Sequence, residues 1–427
     1  MSWSAPRRFC IPRRTRRFGA SRMSGVATRV SPQACLLLAE IAENDIRNHD
    51  FMAFLTPTVL AFGTYNVRKH PRVGILISGL RKNGCTVEEI NHPLELSTAQ
   101  RVEILKKPWK VFGFGWDLLG LWRRLRQDAR EWMKHNGKPD AVLVGYMGHF
   151  DVLLARHVFK DVPIILDHLI FAGDTAKDRG AQGLKVKLLK QLDRMAVGAA
   201  NLVVLDTQEH QHMLAVLESN TASMVVPVGA PDEWYAARAV EPGAGSPKTK
   251  DVVFYGLYTP LQGVPVIAEA AAILAQRGHT PHFTLIGKGQ DYDQVRTIAK
   301  DLANVEFKDW VEPEELPKVV ASHAISLGIF STTPKGLHVV PNKVYQSMAA
   351  GCAVITSDTV PQRRMLDDGV TYVRPGDAQA LADAIERLTT DDDALSAAQQ
   401  AAALAAQSFT DVEVTRELYS WVLKTNR

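Results

Sequence analysis

The stretch PKGLHVVPNKVYQSMAAGCAVITSD, residues 334–358, decides how the rest of the chain is read. Pro341 suits the first turn of a helix, where its missing N–H would have had no partner. Val344, Met348, Ala349 and Ala350 give one apolar face, and Gly351 is a natural C-terminal stop. Residues 353–356 then read as a short buried strand. The helix start carries unpaired N–H groups and the positive end of the dipole, beside Lys335, His338, Asn342 and Lys343. That combination suits a phosphate or another anion. A solvated turn ahead of an ordinary core helix accounts for the same residues.

Working outward, the second half of the chain alternates strand and helix. Strand 252–255 leads to Gly256, and a helix follows Gly263. Strand 282–286 ends in Gly287 and Lys288, strand 305–308 ends in Asp309, Trp310 and Val311, and strand 324–329 precedes the opening stretch. An apolar repeat at 381–388, an alanine-rich helix near 395–406 and a last helix near 412–423 complete it. The first half repeats the pattern. Strand 58–62 runs into Gly63, and a helix to about residue 83 leads to strand 85–90. Strand 140–145 delivers His149, strand 163–166 delivers Asp167 and His168 with Asp174 beyond, and strand 201–205 delivers Asp206. Such alternation predicts an α/β chain of two Rossmann-like, doubly wound parallel sheets, with ligands in the cleft between them. Gly63 lets the chain turn tightly after a strand, which β–α geometry alone also requires. Arg68, Lys69 and Arg72 read as loop cations, ordinary surface charges unless the cleft uses them.

Length and composition bound the rest. With 427 residues the chain has two or three domains, and a net charge of +4 does not favour nucleic acid as a partner. Cys10, Cys35, Cys85 and Cys352 are far apart, with no paired metal spacing, which suits a reducing compartment. No apolar run reaches the roughly eighteen residues that span a bilayer. Residues 1–52 read as a basic, disordered extension, with Arg7, Arg8, Arg13, Arg14, Arg16, Arg17, Arg22 and Arg29 among its first thirty residues and no acid beside them. A transit peptide, a binding arm and sequence upstream of a start at Met23 or Met52 fit it as well. Residues 106–126 set Trp109, Trp116 and Trp122 among leucines with lysine and arginine flanks. An interfacial helix on an anionic membrane and a core-packing helix with a basic end both explain that pattern. Residues 231–250 read as a linker or exposed loop, for which EPGAGSPKTK at 241–250 is the signal.

PNKVYQSMAAG followed by AVIT resembles the donor-binding segment of two-domain, GT-B-fold glycosyltransferases of the family 4 type. LIGKGQD, LGIF and YVRPGDAQALADAI stand in similar order, so the likeness covers about residues 58–405. The resemblance implies an acceptor domain at 53–230, a nucleotide-sugar donor domain at 251–408 and a helix at 409–427 crossing back onto the first. It implies transfer from a nucleoside-diphosphate sugar to a glycan or lipid-linked acceptor, with retention and without metal or other cofactor. A cytoplasmic place, at the inner face of the membrane, in cell-envelope polysaccharide or glycolipid synthesis goes with it. Two glutamates eight apart in that family fall here at His338 and Gln346, and its Arg and Lys after the first donor-domain strand fall at Leu257 and Gln262. The diphosphate would then be held by Lys335, Lys343 and Lys288 with Asn342, and the ribose by Gln346. Gly256 and the strand ends at Gly287 and at Trp310–Val311 would hold the rest of the nucleotide. His149 would stand nearest the transferred sugar, with Asp167, His168 and Asp174 on the acceptor side. A sugar-nucleotide epimerase of the same architecture and a non-catalytic nucleotide-sugar-binding relative are the other readings.

Overall fold

A computed structural model describes residues 56–67, 71–94, 110–146, 148–178, 182–217, 219–239 and 249–425. The extension 1–52, Arg68, Lys69 and most of EPGAGSPKTK lie outside those residues. The first lobe holds strands β1 (Thr58–Gly63), β2 (Thr86–Asn91), β3 (Ala141–Val144), β4 (Ile164–Asp167), β5 (Leu202–Leu205) and β6 (Ala222–Val225). They form one parallel sheet in the order β2-β1-β3-β4-β5-β6. The second lobe holds β7 (Thr249–Tyr255), β8 (Phe283–Ile286), β9 (Val305–Lys308), β10 (His323–Leu327), β11 (Ala353–Ser357) and β12 (Thr371–Val373). Its sheet is also parallel, in the order β12-β11-β10-β7-β8-β9. Strands such as AVLV in β3 and LVVL in β5 are buried along their whole length. Helices cover both faces of a parallel sheet, so these strands are apolar throughout and do not alternate.

Strand order fixes where a ligand can enter. Successive crossovers reverse direction between β1 and β3 in the first sheet and between β7 and β10 in the second. At each reversal the loops leaving the two strands part, and a crevice opens at the carboxyl edge. Gly63 stands at one crevice; Gly256 and the loop before Asn342 stand at the other.

One face of the first sheet packs Leu60, Phe62, Val142 and Val144 against Leu125, Val152, Ala155 and Val197 of an outer helical layer. The helix foreseen in 106–126 belongs to that layer and runs Lys110–Asn136. Its apolar stripe continues through the fully buried Leu125 and Ala129, and it stops at Gly137, whose φ is 81°. The other face carries the helix Pro71–Asn83, on which the final helix Asp411–Thr425 lies. An ideal Cβ on Gly79 would come within 2.1 Å of the Asp411 carbonyl oxygen, so glycine is what lets the two helices meet. Asn83 Nδ2 donates to the Val412 carbonyl at 2.9 Å and to Thr415 Oγ1 at 3.0 Å.

Two local expectations change. Within 231–250, residues Asp232–Ala239 form a helix, because Trp234 is buried and stacks on Tyr255 with centroids 5.6 Å apart. Pro341 stands one place before its helix, extended at φ −73° and ψ 148°, and the helix is Asn342–Ala349. Among the described residues no helix is long and apolar enough to cross a membrane.

Candidate functional site

The second-lobe crevice is built from the loops after β7, β8 and β10. Gly256 has φ 137° and Gly287 φ 121°, values that L side chains rarely adopt. They also touch: a Cβ on Gly287 would lie 2.1 Å from the Gly256 carbonyl oxygen. The backbone at the base of the crevice is therefore bare on both sides. Lys343, in the first turn of the Asn342 helix, is 3% exposed. Its Nζ donates to Gln262 Oε1 at 2.6 Å and sits 3.7 Å from the centre of the Phe254 ring. A Cβ on Gly256 would be 3.0 Å from that nitrogen. Burial pushes the Lys343 pKa well below its ordinary value, and among the described residues no carboxylate offsets it.

That position matters for the departure at Leu257 and Gln262. Leu257 is 59% exposed, while Gln262 holds the Lys343 ammonium. The cation at this point of the crevice comes from the Asn342 helix, while the two β7-loop positions are uncharged. Lys335 is half-buried at the start of the short turn Gly336–His338, and Asn342 and His338 are exposed. Gln346 is buried, and its Oε1 accepts from the Tyr255 hydroxyl at 3.3 Å. Lys288 is drawn away to the surface, where it pairs with Asp309 at 2.6 Å. Trp310 is 68% exposed at the rim, and Val311 packs partly into the core beside it.

The first-lobe edge is chemically different. Gly63, at φ 150°, lies against Asp151, whose Oδ2 accepts from Thr64 N at 2.7 Å and Thr64 Oγ1 at 2.8 Å. Trp122 donates to the other oxygen at 3.0 Å. Burial raises the Asp151 pKa, and these hydrogen bonds work against the rise. His149 is buried, with Nε2 3.0 Å from Asp193 Oδ1 and 3.1 Å from the Ile170 carbonyl oxygen. Asp193 also accepts from Ala172 N and Gly173 N at 2.8 and 2.9 Å. His168 stacks edge-on against His149 at 4.8 Å. Burial, with the nearby His149, drives its pKa down to about 3, so it is a neutral imidazole. Ligand atoms of His149, His168 and Asp193 lie within 4.8 Å of one another. His168 Nε2 is buried and has no hydrogen-bond partner among the described residues, while the His149 Nε2 hydrogen is shared between Asp193 and a carbonyl.

Asp167 pairs with Arg72, its Oδ1 2.7 Å from Nε, both side chains almost wholly buried. Arg72 is therefore no surface cation. Burial still raises the Asp167 pKa, with the guanidinium opposing it. Asp174 is not part of this edge pairing; it forms an ion pair with Lys190 at 3.6 Å. Asp151 and Asp193 escaped the sequence reading, since each lies in a helix and acts only through tertiary contacts. The lobes meet where Thr207 Oγ1 donates to the His338 carbonyl oxygen at 3.2 Å and Arg364 pairs with Glu209 at 2.8 Å.

With this geometry in place, residues 249–391 match the family model described as Glycosyl transferases group 1. The matched residues run from the start of β7 through β12 and the helix that follows it. No curated protein matches the chain by sequence. Among solved structures, sucrose-phosphate synthase from Thermosynechococcus elongatus superposes with a TM-score of 0.61 at 14% identity, over 86% of this chain and 99% of that one. Anabaena HepE in complex with UDP-glucose gives 0.58 at 16% identity, over 86% and 99%. A glycosyltransferase from Rickettsia africae gives 0.56 at 13%, again over 86% and 99%. At such identities the likeness speaks for the fold, the GT-B pair of facing Rossmann-like lobes. Glycosyltransferase is the enzyme class that goes with this domain in that fold.

Proposed function

We propose that this glycosyltransferase moves a sugar, with retention of configuration, from a nucleoside-diphosphate sugar to a hydroxyl of a glycan or lipid-linked acceptor. The observation that carries the reading is Lys343, a buried amine at a helix N-terminus with an amide partner and, among the described residues, no acid beside it. A buried cation of that kind is costly until an anion joins it. As the glycosidic bond breaks, charge gathers on the departing diphosphate. Lys343, Lys335 and the first N–H groups of the Asn342 helix would stabilise it without a metal or other cofactor. Gln346 would hold the ribose, with the strand ends at Gly287 and Trp310 flanking the base. The departing phosphate can take the acceptor's proton on the same face, so no separate base is required. His149, held by Asp193, would orient the transferred sugar. HepE, which shares the fold, is recorded with UDP-glucose, in keeping with a donor of this kind.

A panel of UDP, GDP and ADP sugars, read by released nucleoside diphosphate, tests the reading. Release that depends on an added acceptor supports it. Binding without turnover would favour the non-catalytic reading, which the loss of charge at Leu257 and Gln262 also suits. Interconversion of the sugar without acceptor would favour an epimerase.

A lipid-linked acceptor in cell-envelope synthesis, met at the inner face of the membrane, fits the outer layer of the first lobe. Trp116 is 76% and Leu119 55% exposed there, with Arg123 and Arg124 one turn on. Co-sedimentation with phosphatidylglycerol vesicles should fall in Trp116→Ser while the melting temperature holds. Equal sedimentation of both proteins would remove the membrane contact.

A further inference from the structure

The helix Leu184–Ala199 of the first lobe turns an apolar stripe to solvent. Leu184 is 72% and Leu188 63% exposed, and Met195 is half-exposed on the same side. At about 100° per residue, these three side chains project within about 40° of one another. A single exposed leucine needs no explanation, but three apolar side chains in one line do. Exposed Lys187 and Arg194 stand along one flank of the stripe, and exposed Lys185 along the other. The helix carries one acid, Asp193, which is buried on the side opposite Leu184. Lys190, further round, pairs with Asp174 at 3.6 Å. The exposed half of the helix is thus apolar along its crest and cationic along its edges.

We propose that this helix lies in the surface of an anionic membrane, with Leu184, Leu188 and Met195 among the acyl chains and Lys185, Lys187 and Arg194 at the headgroups. Charge favours lipid over a second copy of this chain. A symmetric pair would lay the stripe on itself and bring the flanking cations of both copies together. Three apolar side chains also fall far short of the roughly 20 residues a side that a stable protein interface uses. The helix Lys110–Asn136, in the same outer layer of the first sheet, exposes Trp116 and Leu119 with Arg123 and Arg124 one turn on. Two apolar stripes with basic flanks in one layer suit a continuous surface better than a single groove on a partner. The contact extends the membrane reading above to a second helix and does not depend on sugar transfer. Its consequence is positional. The buried side of the helix holds Asp193, which accepts from His149 Nε2 and from the Ala172 and Gly173 amides, so one helix ties the acceptor edge to the lipid.

The full chain is sedimented with phosphatidylcholine vesicles that contain, or lack, phosphatidylglycerol. Binding should rise with phosphatidylglycerol and fall with added salt. Leu188→Ser should weaken it about tenfold, the loss of one inserted leucine side chain. Lys187→Gln should weaken it about fivefold on the anionic vesicles and leave the neutral ones unaffected. Both positions are exposed, so melting temperature and UDP affinity should hold in both variants. Three results would overturn the contact: no vesicle binding, binding indifferent to phosphatidylglycerol, or variants that sediment like the parent. A vesicle-free mass that doubles with concentration, and stays at one chain in Leu188→Ser, would also overturn it by giving the stripe to a second copy. Binding lost in Trp116→Ser but intact in Leu188→Ser would leave the contact to the Lys110 helix alone and strike this one. Turnover in the sugar panel reports on the donor crevice, so failure there leaves the lipid contact standing.

Discussion

The carboxyl edges of the two sheets face the same cleft but treat charge in opposite ways. On the first lobe several buried groups stand against a carboxylate: Arg72 with Asp167 at 2.7 Å, His149 with Asp193 at 3.0 Å, His210 with Asp206 at 2.5 Å. On the second lobe Lys343 meets an amide and an aromatic face, and its helix carries no acid. Even within that lobe the contrast repeats, since exposed Lys288 is paired with Asp309 while buried Lys343 is not paired with any carboxylate. A surface pair costs little to form and to break. A buried, uncompensated ammonium is expensive, so it persists where a ligand can complete it. The charges named on one edge are therefore cancelled within the chain, while the other edge is left to be completed by an anion.

Breaking the charged side should have the largest effect. Lys343→Ala should lower nucleoside-diphosphate affinity and transfer rate by about 10²-fold, the usual scale for one preorganised charge donor. Unchanged donor binding in that variant would erase the contrast between the edges. The same titration has a pH signature. In the free protein the Lys343 pKa is depressed, and a bound diphosphate favours the ammonium and restores it. Binding then takes up a proton, and affinity should fall as pH rises through the free-state pKa towards the ordinary value of 10.5. A flat profile from neutral to alkaline pH would count against it.

A smaller effect sharpens the neutral side. His168 has its pKa lowered from 6.5 to about 3, so between those values the unfolded chain binds more protons than the folded one. Its contribution is whole above pH 6.5 and is lost as pH falls towards 3, by up to about 5 kcal/mol at the limit. The melting temperature of His168→Asn should therefore depend less on acid than that of the parent. Parallel slopes from pH 7 to pH 4 would mean that this histidine is not held neutral.

Much of the architecture is legible in the sequence, because burial of both sheet faces makes each strand an apolar run and each crossover an amphipathic helix. The opening stretch shows a helix start beside cations, and Lys343 is visible as one of them. The amide that holds it lies eighty-one residues away at Gln262, and no local pattern announces such a pairing. Lys288 and Asp174 carry the right chemistry in a suitable place, yet each is taken by a neighbour, Asp309 or Lys190.

By itself, then, the sequence determined two parallel sheets, their crossover helices and the edges at which loops gather, since these follow from hydrophobic period and chain direction. Only the tertiary structure decided which charges are cancelled. Burial depends on what other segments bring to the same point, as Asp193 does for His149, Arg72 for Asp167 and Phe254 for Lys343. The penalty for an unpaired charge scales with that burial, so the chemistry of the cleft was settled by packing.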